Sequence, residues 1–436
     1  MNNDAIRAVI FDFGGVLMRT VTRAPRRELE QRLGLESGGA DEAVFGSPLW
    51  DDVQLGRLSN AEFWADVGRR LGLDTGKSAE FSAAFREAFW SGDRLDEELM
   101  TLIHHLHDAG YRTALLSNAP ADLRFILDEL GIADAFDVTV ISGCEGLMKP
   151  DPAIFELALA RLDVRADEAV FVDDFRVNVA AARQAGLHAV RFRGLAPLRQ
   201  RLRELDIPAP DPALEPLPDV RAVIFDWGGV IEELTGDAHL TEWEQRLALE
   251  PGMLMCVLWG QAWRQLSVGA ISEDEYAARV AERLGLSDLK VASLPFSSRA
   301  EAGRRFVAEF YSGDRFYRPV AAAVRALRGR YRLALLSNAS PGQAGRVREQ
   351  FGFDIHAEFD VYVNSALVGL RKPDPAIFYL TLEQLDVEPG QALLVDDMIY
   401  NVDGARELGI HTIQFVDPAT SLAELEALLD FRFADF

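Results

Sequence analysis

The stretch RAVIFDFGGV, residues 7–16, is written a second time as RAVIFDWGGV, residues 221–230. Each copy is a short apolar run, Ala8–Phe11 or Ala222–Phe225, closed by an aspartate, an aromatic residue and two glycines. An unbroken apolar run bounded by a turn signal predicts a strand buried on both faces, since a half-exposed strand would alternate. Three further blocks recur in the same order. YRTALLSNA (111–119) returns as YRLALLSNA (331–339), KPDPAIF (149–155) as KPDPAIF (372–378), and VDD (172–174) as VDD (395–397). An asparagine, Asn178 or Asn401, follows each acidic doublet. The copies are offset by 214 residues at the first block, 220 at the second and 223 at the last two. So long a period is no solenoid unit; a whole domain has been duplicated.

Thr113–Leu116 and Ala169–Val172 read as further buried strands, as do Leu333–Leu336 and Ala392–Val395, with helical patterns over 151–162 and 178–185. Strands alternating with helices predict an α/β fold: two tandem Rossmann-like cores, each a parallel sheet with helices on both faces. The stretches 19–98 and 232–319 carry helical patterns and few strand signals, which predicts a helical cap inserted after the first strand. The expected first domain is 1–205 (core 1–18 and 99–205, cap 19–98). The second is 220–436 (core 220–231 and 320–436, cap 232–319). Between them, 206–219 holds Pro208, Pro210, Pro212, Pro216 and Pro218 and reads as a semi-rigid linker. The caps are related as well: Trp50 matches Trp263, and WSGDR (90–94) matches YSGDR (311–315).

Composition bounds the partners. Hydrophobic residues make up 49% and charged residues 26%, the balance of a globular protein. A formal net charge of −24 opposes nucleic acid and anionic membrane surfaces, so neither is an expected partner. An anionic substrate then needs local cations, a helix N-terminus or a metal. Cys144 and Cys256 cannot build a disulfide framework. With no charged-then-apolar leader at Met1, a cytoplasmic location is expected. His104, His105 and His107 read as a solvated helix face.

In open α/β sheets ligands sit at the carboxyl ends of the strands, and four polar signatures fall there. Asp12 and Asp226 can act as nucleophile, metal ligand or both. Ser117–Asn118 and Ser337–Asn338 offer donors to an anionic oxygen. Lys149 and Lys372 bring a fixed positive charge. The doublets Asp173–Asp174 and Asp396–Asp397 supply hard oxygen ligands for Mg²⁺. Together these suit in-line phosphoryl transfer, where catalysis is positioning and charge stabilisation. Turns and N-caps are the bland rivals, though the repeat weighs against them. Two adjacent carboxylates at a buried strand end repel unless a cation or hydrogen bonds offset the cost.

The order Asp-x-Gly-Gly-Val, Ser-Asn, Lys-Pro-Asp-Pro, Val-Asp-Asp resembles the four motifs of the haloacid dehalogenase superfamily, in both halves. The helical insertion is similar to that family's C1 cap, and the Gly-Gly-Val variant is similar to its sugar-phosphatase and epoxide-hydrolase-linked phosphatase branch. The resemblance implies an Mg²⁺-dependent phosphatase acting on a small phosphorylated metabolite through an aspartyl-phosphate. Asp12 and Asp226 would be its nucleophiles. Ser117 and Ser337, with the backbone of Asn118 and Asn338, would bind the phosphoryl group, and Lys149 and Lys372 would steady both. Asp174 and Asp397 would ligate the metal with the nucleophiles and the carbonyls of Gly14 and Gly228; Asp173 and Asp396 would ligate it or lie just behind.

One departure matters. The family's general acid, two residues past the nucleophile, is here Gly14 or Gly228, and such an acid is worth about 10²–10⁴ in rate. The substrate's leaving group needs little protonation, or Asp93 or Asp314 on the cap supplies the proton, or the fold is kept for binding. Trp50, Asp93, Arg94, Trp263, Asp314 and Arg315 are the cap residues expected to pack on the core or touch substrate. A metal-free dehalogenase, a diphosphate-processing enzyme that does not hydrolyse, and a non-catalytic scaffold remain as alternatives. The tandem reads either as an intramolecular pseudo-dimer or as two caps for two substrates.

Overall fold

The structure, a computed structural model, describes residues 6–36, 38–72, 78–211, 214–233, 237–250, 252–286 and 298–433. The chain divides into two compact units, residues 1–211 and 212–436. In the first, β1 (Ala8–Phe11) lies at the centre of a five-stranded sheet with β4 (Arg112–Ser117), β5 (Val138–Ile141), β6 (Ala169–Asp173) and β7 (His188–Arg191). The order is β5-β4-β1-β6-β7, every pair parallel. The second unit repeats it with β8 (Ala222–Phe225), β11 (Arg332–Ser337), β12 (Val361–Asn364), β13 (Ala392–Asp396) and β14 (His411–Gln414), in the order β12-β11-β8-β13-β14. The expected pair of Rossmann-like cores is what the chain forms.

The apolar runs predicted as strands are buried throughout, and alternation sorts them between two cores. Val9 and Phe11 join one apolar cluster, whereas Ala8 and Ile10 join the other. Val223 and Phe225 part from Ala222 and Ile224 in the same way. Burying a Val, Ile or Phe side chain is worth roughly 1.5–3 kcal/mol, so both faces must be roofed by helices. One such helix, Pro152–Leu162, starts where sequence chemistry dictates. Asp151 caps it by accepting from the Ala153 N–H at 2.9 Å, and Pro152 follows at a position whose N–H has no helical partner. Asp374 and Pro375 begin Pro375–Leu385 identically, with the Ala376 N–H at 3.0 Å. The Asp-Pro of the KPDP blocks is therefore architecture, and only the lysine is left for chemistry.

The insertion is not wholly helical. β2 (Met18–Thr20) pairs antiparallel with β3 (Asp93–Leu95), and β9 (Glu232–Glu233) with β10 (Arg315–Phe316). Runs of two or three residues are too short to show a period, which is why the ribbon was invisible in the sequence. The first insertion carries helices Ala24–Leu33, Gly39–Phe45, Trp50–Gln54, Asn60–Arg70 and Ser78–Trp90. The second carries Asp237–Arg246, Met253–Leu258, Gln261–Leu266, Glu273–Arg283 and Arg299–Tyr311. Each packs around its own apolar cluster, with Phe63 and Phe89 in one and Phe306 and Phe310 in the other.

The proline-rich stretch is anchored at both ends. Ile207 and Ala209 are buried in the first unit's core, and Arg203 donates to the Ala209 carbonyl at 2.9 Å. Leu217 packs on the second unit's core, and its N–H donates to the Leu428 carbonyl at 2.7 Å. Pro212 lies outside the described residues. Among those residues, no helix is long and apolar enough to cross a membrane.

Candidate active site

At the carboxyl edge of the first sheet, β1 delivers Asp12, β4 delivers Ser117 and β6 delivers Asp173 with Asp174. Lys149 is fully buried beneath them, and its Nζ lies 2.9 Å from Asp12 Oδ1, 2.7 Å from Asp173 Oδ2 and 2.9 Å from the Leu116 carbonyl. Burial works against the ammonium charge, but Asp12 and Asp173 together hold its pKa above the ordinary lysine value. The second unit repeats the arrangement: Lys372 Nζ is 3.0 Å from Asp226 Oδ1 and 2.5 Å from Asp396 Oδ2.

The two carboxylates of each doublet have different surroundings. Asp173 is saturated: besides Lys149, it accepts from the Phe175 N–H at 2.8 Å and from Asn178 Nδ2 at 3.1 and 3.2 Å. Asp396 is held likewise by the Met398 N–H at 2.9 Å and Asn401 Nδ2 at 3.0 and 3.1 Å. Asp174 Oδ1 and Asp397 Oδ1 are buried without a hydrogen-bond partner. Ligand atoms of Asp12, Asp173 and Asp174 lie within 4.8 Å of one another, as do those of Asp226, Asp396 and Asp397.

Three carboxylates facing one lysine leave excess negative charge in a poorly solvated place. Burial raises Asp12 to about 6 against the pull of Lys149. Burial, then Asp12 and Asp173, raise Asp174 to about 7. Burial raises Asp226 to about 7, and Asp397 stands well above the carboxylate range for the same reason, with Asp396 and Asp226 adding to it. An all-oxygen set with an orphaned buried oxygen suits a hard divalent cation, which would hold these groups ionised. The donor set fits a metal.

The side-chain amides of Asn118 and Asn338 are occupied, which leaves the backbone that the family resemblance names. Asn118 Nδ2 donates to the Lys149 carbonyl at 2.8 Å and its Oδ1 accepts the Lys149 N–H at 2.8 Å. Asn338 clamps Lys372 in the same way, at 3.0 and 2.8 Å. Both side chains are spent on holding the lysine loop, and the backbone N–H is what remains for a ligand.

With this geometry in view, the sequence model of one family, haloacid dehalogenase-like hydrolase, matches residues 6–186 and again residues 220–409. The chain is a haloacid dehalogenase-like hydrolase. A sesquiterpene phosphatase of Aspergillus oryzae is 29% identical to it over 200 residues, 46% of this chain and 96% of that one. A ribulose-1,5-bisphosphate 5-phosphatase of Halopiger xanaduensis is 30% identical over 200 residues, 42% of this chain and 84% of that one. Mouse acyl-CoA dehydrogenase family member 10 is 33% identical over 221 residues, 48% of this chain but only 19% of its own length.

The cap residues of this haloacid dehalogenase-like hydrolase are mostly busy with cap architecture. Trp50 packs edge-on against Phe45 and also against Phe63, with ring centroids 5.3 Å away in each case, and Trp263 sits 5.9 Å from Tyr276. Asp93 lies on the ribbon, accepting from Thr20 Oγ1 at 2.7 Å and pairing with Arg26 at 3.2 Å. Arg94 is exposed and donates to the Ser91 and Asp93 carbonyls. Arg315 is exposed on β10, and Asp314 is buried beside Glu232.

Other neighbours of the site escaped the sequence reading. Gln54 of the first cap donates to the Asn118 carbonyl at 2.7 Å, and its own carbonyl accepts from Ser142 Oγ at 2.6 Å. In the second unit Gln343 Nε2 donates to Ser337 Oγ at 2.9 Å, Tyr362 OH to Gln343 Oε1 at 3.0 Å, and Asn364 Nδ2 to Tyr362 OH at 2.9 Å. The first unit has Leu123, Thr139 and Ile141 in these places. Placing the two copies side by side exposes such residues; a search for shared motifs hides them.

Proposed function

We propose that each unit is a Mg²⁺-dependent phosphomonoesterase that works through an aspartyl-phosphate, with Asp12 and Asp226 as nucleophiles. The observation that carries the reading is a buried lysine shared between the strand-end aspartate and the first acid of the doublet, beside a second acid with an orphaned oxygen. The metal would be held by the carboxylates of Asp12 and Asp174 and the Gly14 carbonyl, or by Asp226, Asp397 and Gly228, with Asp173 and Asp396 behind. Bound there, Mg²⁺ supplies positive charge that keeps the carboxylates ionised and attracts the phosphoryl oxygens.

The rest belongs to the chain. Lys149 and the Phe13 N–H both donate to Asp12 Oδ1, the latter at 2.7 Å, which turns that carboxylate to one orientation. An Asp12 oxygen attacks phosphorus while the ester oxygen departs opposite it. Ser117 and the Asn118 N–H donate to the transferring phosphoryl oxygens. Water then attacks phosphorus, releases phosphate and regenerates Asp12. With glycine two residues past each nucleophile, the favoured substrates are small phosphorylated metabolites whose leaving group needs little protonation: anomeric sugar phosphates, acyl phosphates or diphosphates. The phosphatase names of the fungal and archaeal relatives support phosphate release as the reaction.

The test is a screen of phosphorylated metabolites with Mg²⁺, run on the natural chain and on Asp12→Asn, Asp226→Asn and the double variant. Phosphate release should fall in each single variant and vanish in the double one and under EDTA. Turnover that survives the double variant overturns the proposal, and halide release that survives EDTA would instead favour a dehalogenase.

A further inference from the structure

The two catalytic motifs are alike, but the residues beside them are not. Met148, before Lys149, becomes Arg371, before Lys372. Val177, before Asn178, becomes Tyr400, before Asn401. In the cap, Asp51 next to Trp50 becomes Arg264 next to Trp263. The cap register is supported by packing: a Cβ on Gly56 would meet the Gly143 carbonyl at 2.2 Å, and one on Gly269 the Ala366 carbonyl at 2.5 Å, at matching places in the two units.

These three substitutions converge. Arg371 Nη1 is buried with no hydrogen-bond partner, and its guanidinium makes no ion pair among the described residues. Its charge is opposed by burial, helped by Tyr400 and opposed again by Arg264. The Tyr400 hydroxyl in turn feels Asp397, Asp396 and Asp226 on one side and Arg371 on the other. Arg371 adjoins Lys372 and Tyr400 follows Asp397 by three residues, so both border the acidic cluster, and Arg264 is near enough to Arg371 to oppose its charge.

In a chain with net charge −24, arginines find acids easily. Arg279, Arg304, Arg325 and Arg348 of the same unit pair with Glu275, Asp274, Glu358 and Asp354. Arg371, half-buried with a bare N–H and opposed by the exposed Arg264, is costly to keep charged unless an anion arrives. A guanidinium fork is suited to phosphate or carboxylate.

We propose that Arg371 and Arg264, with the Tyr400 hydroxyl, form a subsite in the second unit for an additional anionic group on the substrate whose phosphoryl group Asp226 accepts. The group is a second phosphate or a carboxylate. The first unit, with Met148, Val177 and Asp51, lacks the subsite and takes substrates with a single anionic group. The proposal rests on the phosphatase reading of the second unit and names its substrate class.

The test uses the full chain carrying Asp12→Asn, so that turnover reports the second unit, and three anomeric phosphates on one pyranose skeleton: glucose 1-phosphate, glucuronic acid 1-phosphate and glucose 1,6-bisphosphate. The natural residues should give a lower KM for the two esters with a second anionic group than for glucose 1-phosphate. Arg371→Met should shrink that preference by about tenfold, the loss of roughly one charge-assisted contact. Arg371→Lys should shrink it less, because charge is kept while the fork is lost, and Arg264→Asp should act in the same direction as Arg371→Met. Whichever ester with a second anionic group loses more identifies the group bound. Equal KM changes for all three esters, or none, overturn the subsite. Calorimetric titration of the same ligands into the chain carrying both Asp12→Asn and Asp226→Asn needs no turnover. If glucose 1-phosphate is not hydrolysed yet the binding preference depends on Arg371, the phosphatase reading falls and the subsite stands. If it is hydrolysed and no preference appears, the subsite alone falls.

Discussion

Gly15 and Asp174 touch so closely that a Cβ on Gly15 would lie 2.4 Å from Asp174 Oδ2. Gly229 and Asp397 repeat the distance, and both glycines have positive φ, +79° and +83°. The second glycine of each motif therefore meets two demands at once: a left-handed backbone, and room for the acid of the doublet that carries the orphaned oxygen. Gly15→Ala should cost the strain of a non-glycine residue there, roughly 1–3 kcal/mol, and push Asp174 out of position. Urea unfolding with and without Mg²⁺ checks this: the Mg²⁺-dependent part of the first unit's stability should disappear, while the second unit keeps its own.

In the second unit, Gln343, Tyr362 and Asn364 form a buried chain of hydrogen bonds ending on Ser337. Replacing Gln343 by leucine leaves the Tyr362 hydroxyl and the Ser337 hydroxyl each short of a partner, at about 1–3 kcal/mol. Asn364 also donates to the Ser340 carbonyl at 2.9 Å and accepts from the Ala366 N–H at 3.0 Å, so it is left in place. Adding Tyr362→Phe removes the hydroxyl that Gln343 had satisfied and should recover part of that loss, as expected when both partners are replaced together. Chemical denaturation of the single and double variants measures it; a double variant less stable than Gln343→Leu would show that the Tyr362 hydroxyl is satisfied without Gln343.

The fold was legible because each core strand is an unbroken apolar run, and burial on both faces leaves such a run no other stable home. The lysine, the strand-end aspartates and the doublets were legible for a related reason, since charged groups at the ends of buried strands need compensation. The roles within the motifs were less so. Asp173 and Asp174 are adjacent and chemically identical, and only the backbone turn decides that one meets Lys149 and Asn178 while the other is left with a bare oxygen. Asn118 read as a donor to ligand because nothing local reveals that Lys149, 31 residues on, takes both of its amide bonds. The partners of Asp93, Thr20 and Arg26, were hidden because they lie 73 and 67 residues earlier in the chain.

Glu232 stands where the first unit has Met18, each bridging to the first glycine of its motif. Burial, and then Asp314, push the Glu232 carboxyl up to about 7, even though Trp227 Nε1 donates to it at 2.7 Å. An acid raised on folding binds more protons folded than unfolded, so its contribution to stability is present at low pH and is lost as pH rises from about 4.5 through 7. Glu232→Gln keeps an acceptor for Trp227 and cannot ionise. It should stabilise the second unit by roughly 1–3 kcal/mol at alkaline pH and by nothing measurable near pH 4. Unfolding followed at both pH values checks the sign; a variant less stable at alkaline pH would show that the carboxylate is paired there.

At Gly14 the fold would tolerate a side chain that the chemistry lacks. A Cβ built on it meets nothing within 4 Å, and its φ lies outside the left-handed region, so neither crowding nor backbone strain demands glycine. Gly15, next to it, is tied by both. Aspartate at position 14 should therefore fold and bring a carboxyl near the leaving group. If the natural chain works only on leaving groups that depart unprotonated, Gly14→Asp should raise kcat for simple alkyl phosphates by about 10²-fold or more, and do little for acyl phosphates. The pH profile of kcat/KM for alkyl phosphates should gain a descending limb on the alkaline side as the new acid loses its proton. Equal gains on both substrate classes, or none on either, would mean that protonation of the leaving group was never what limited the first unit.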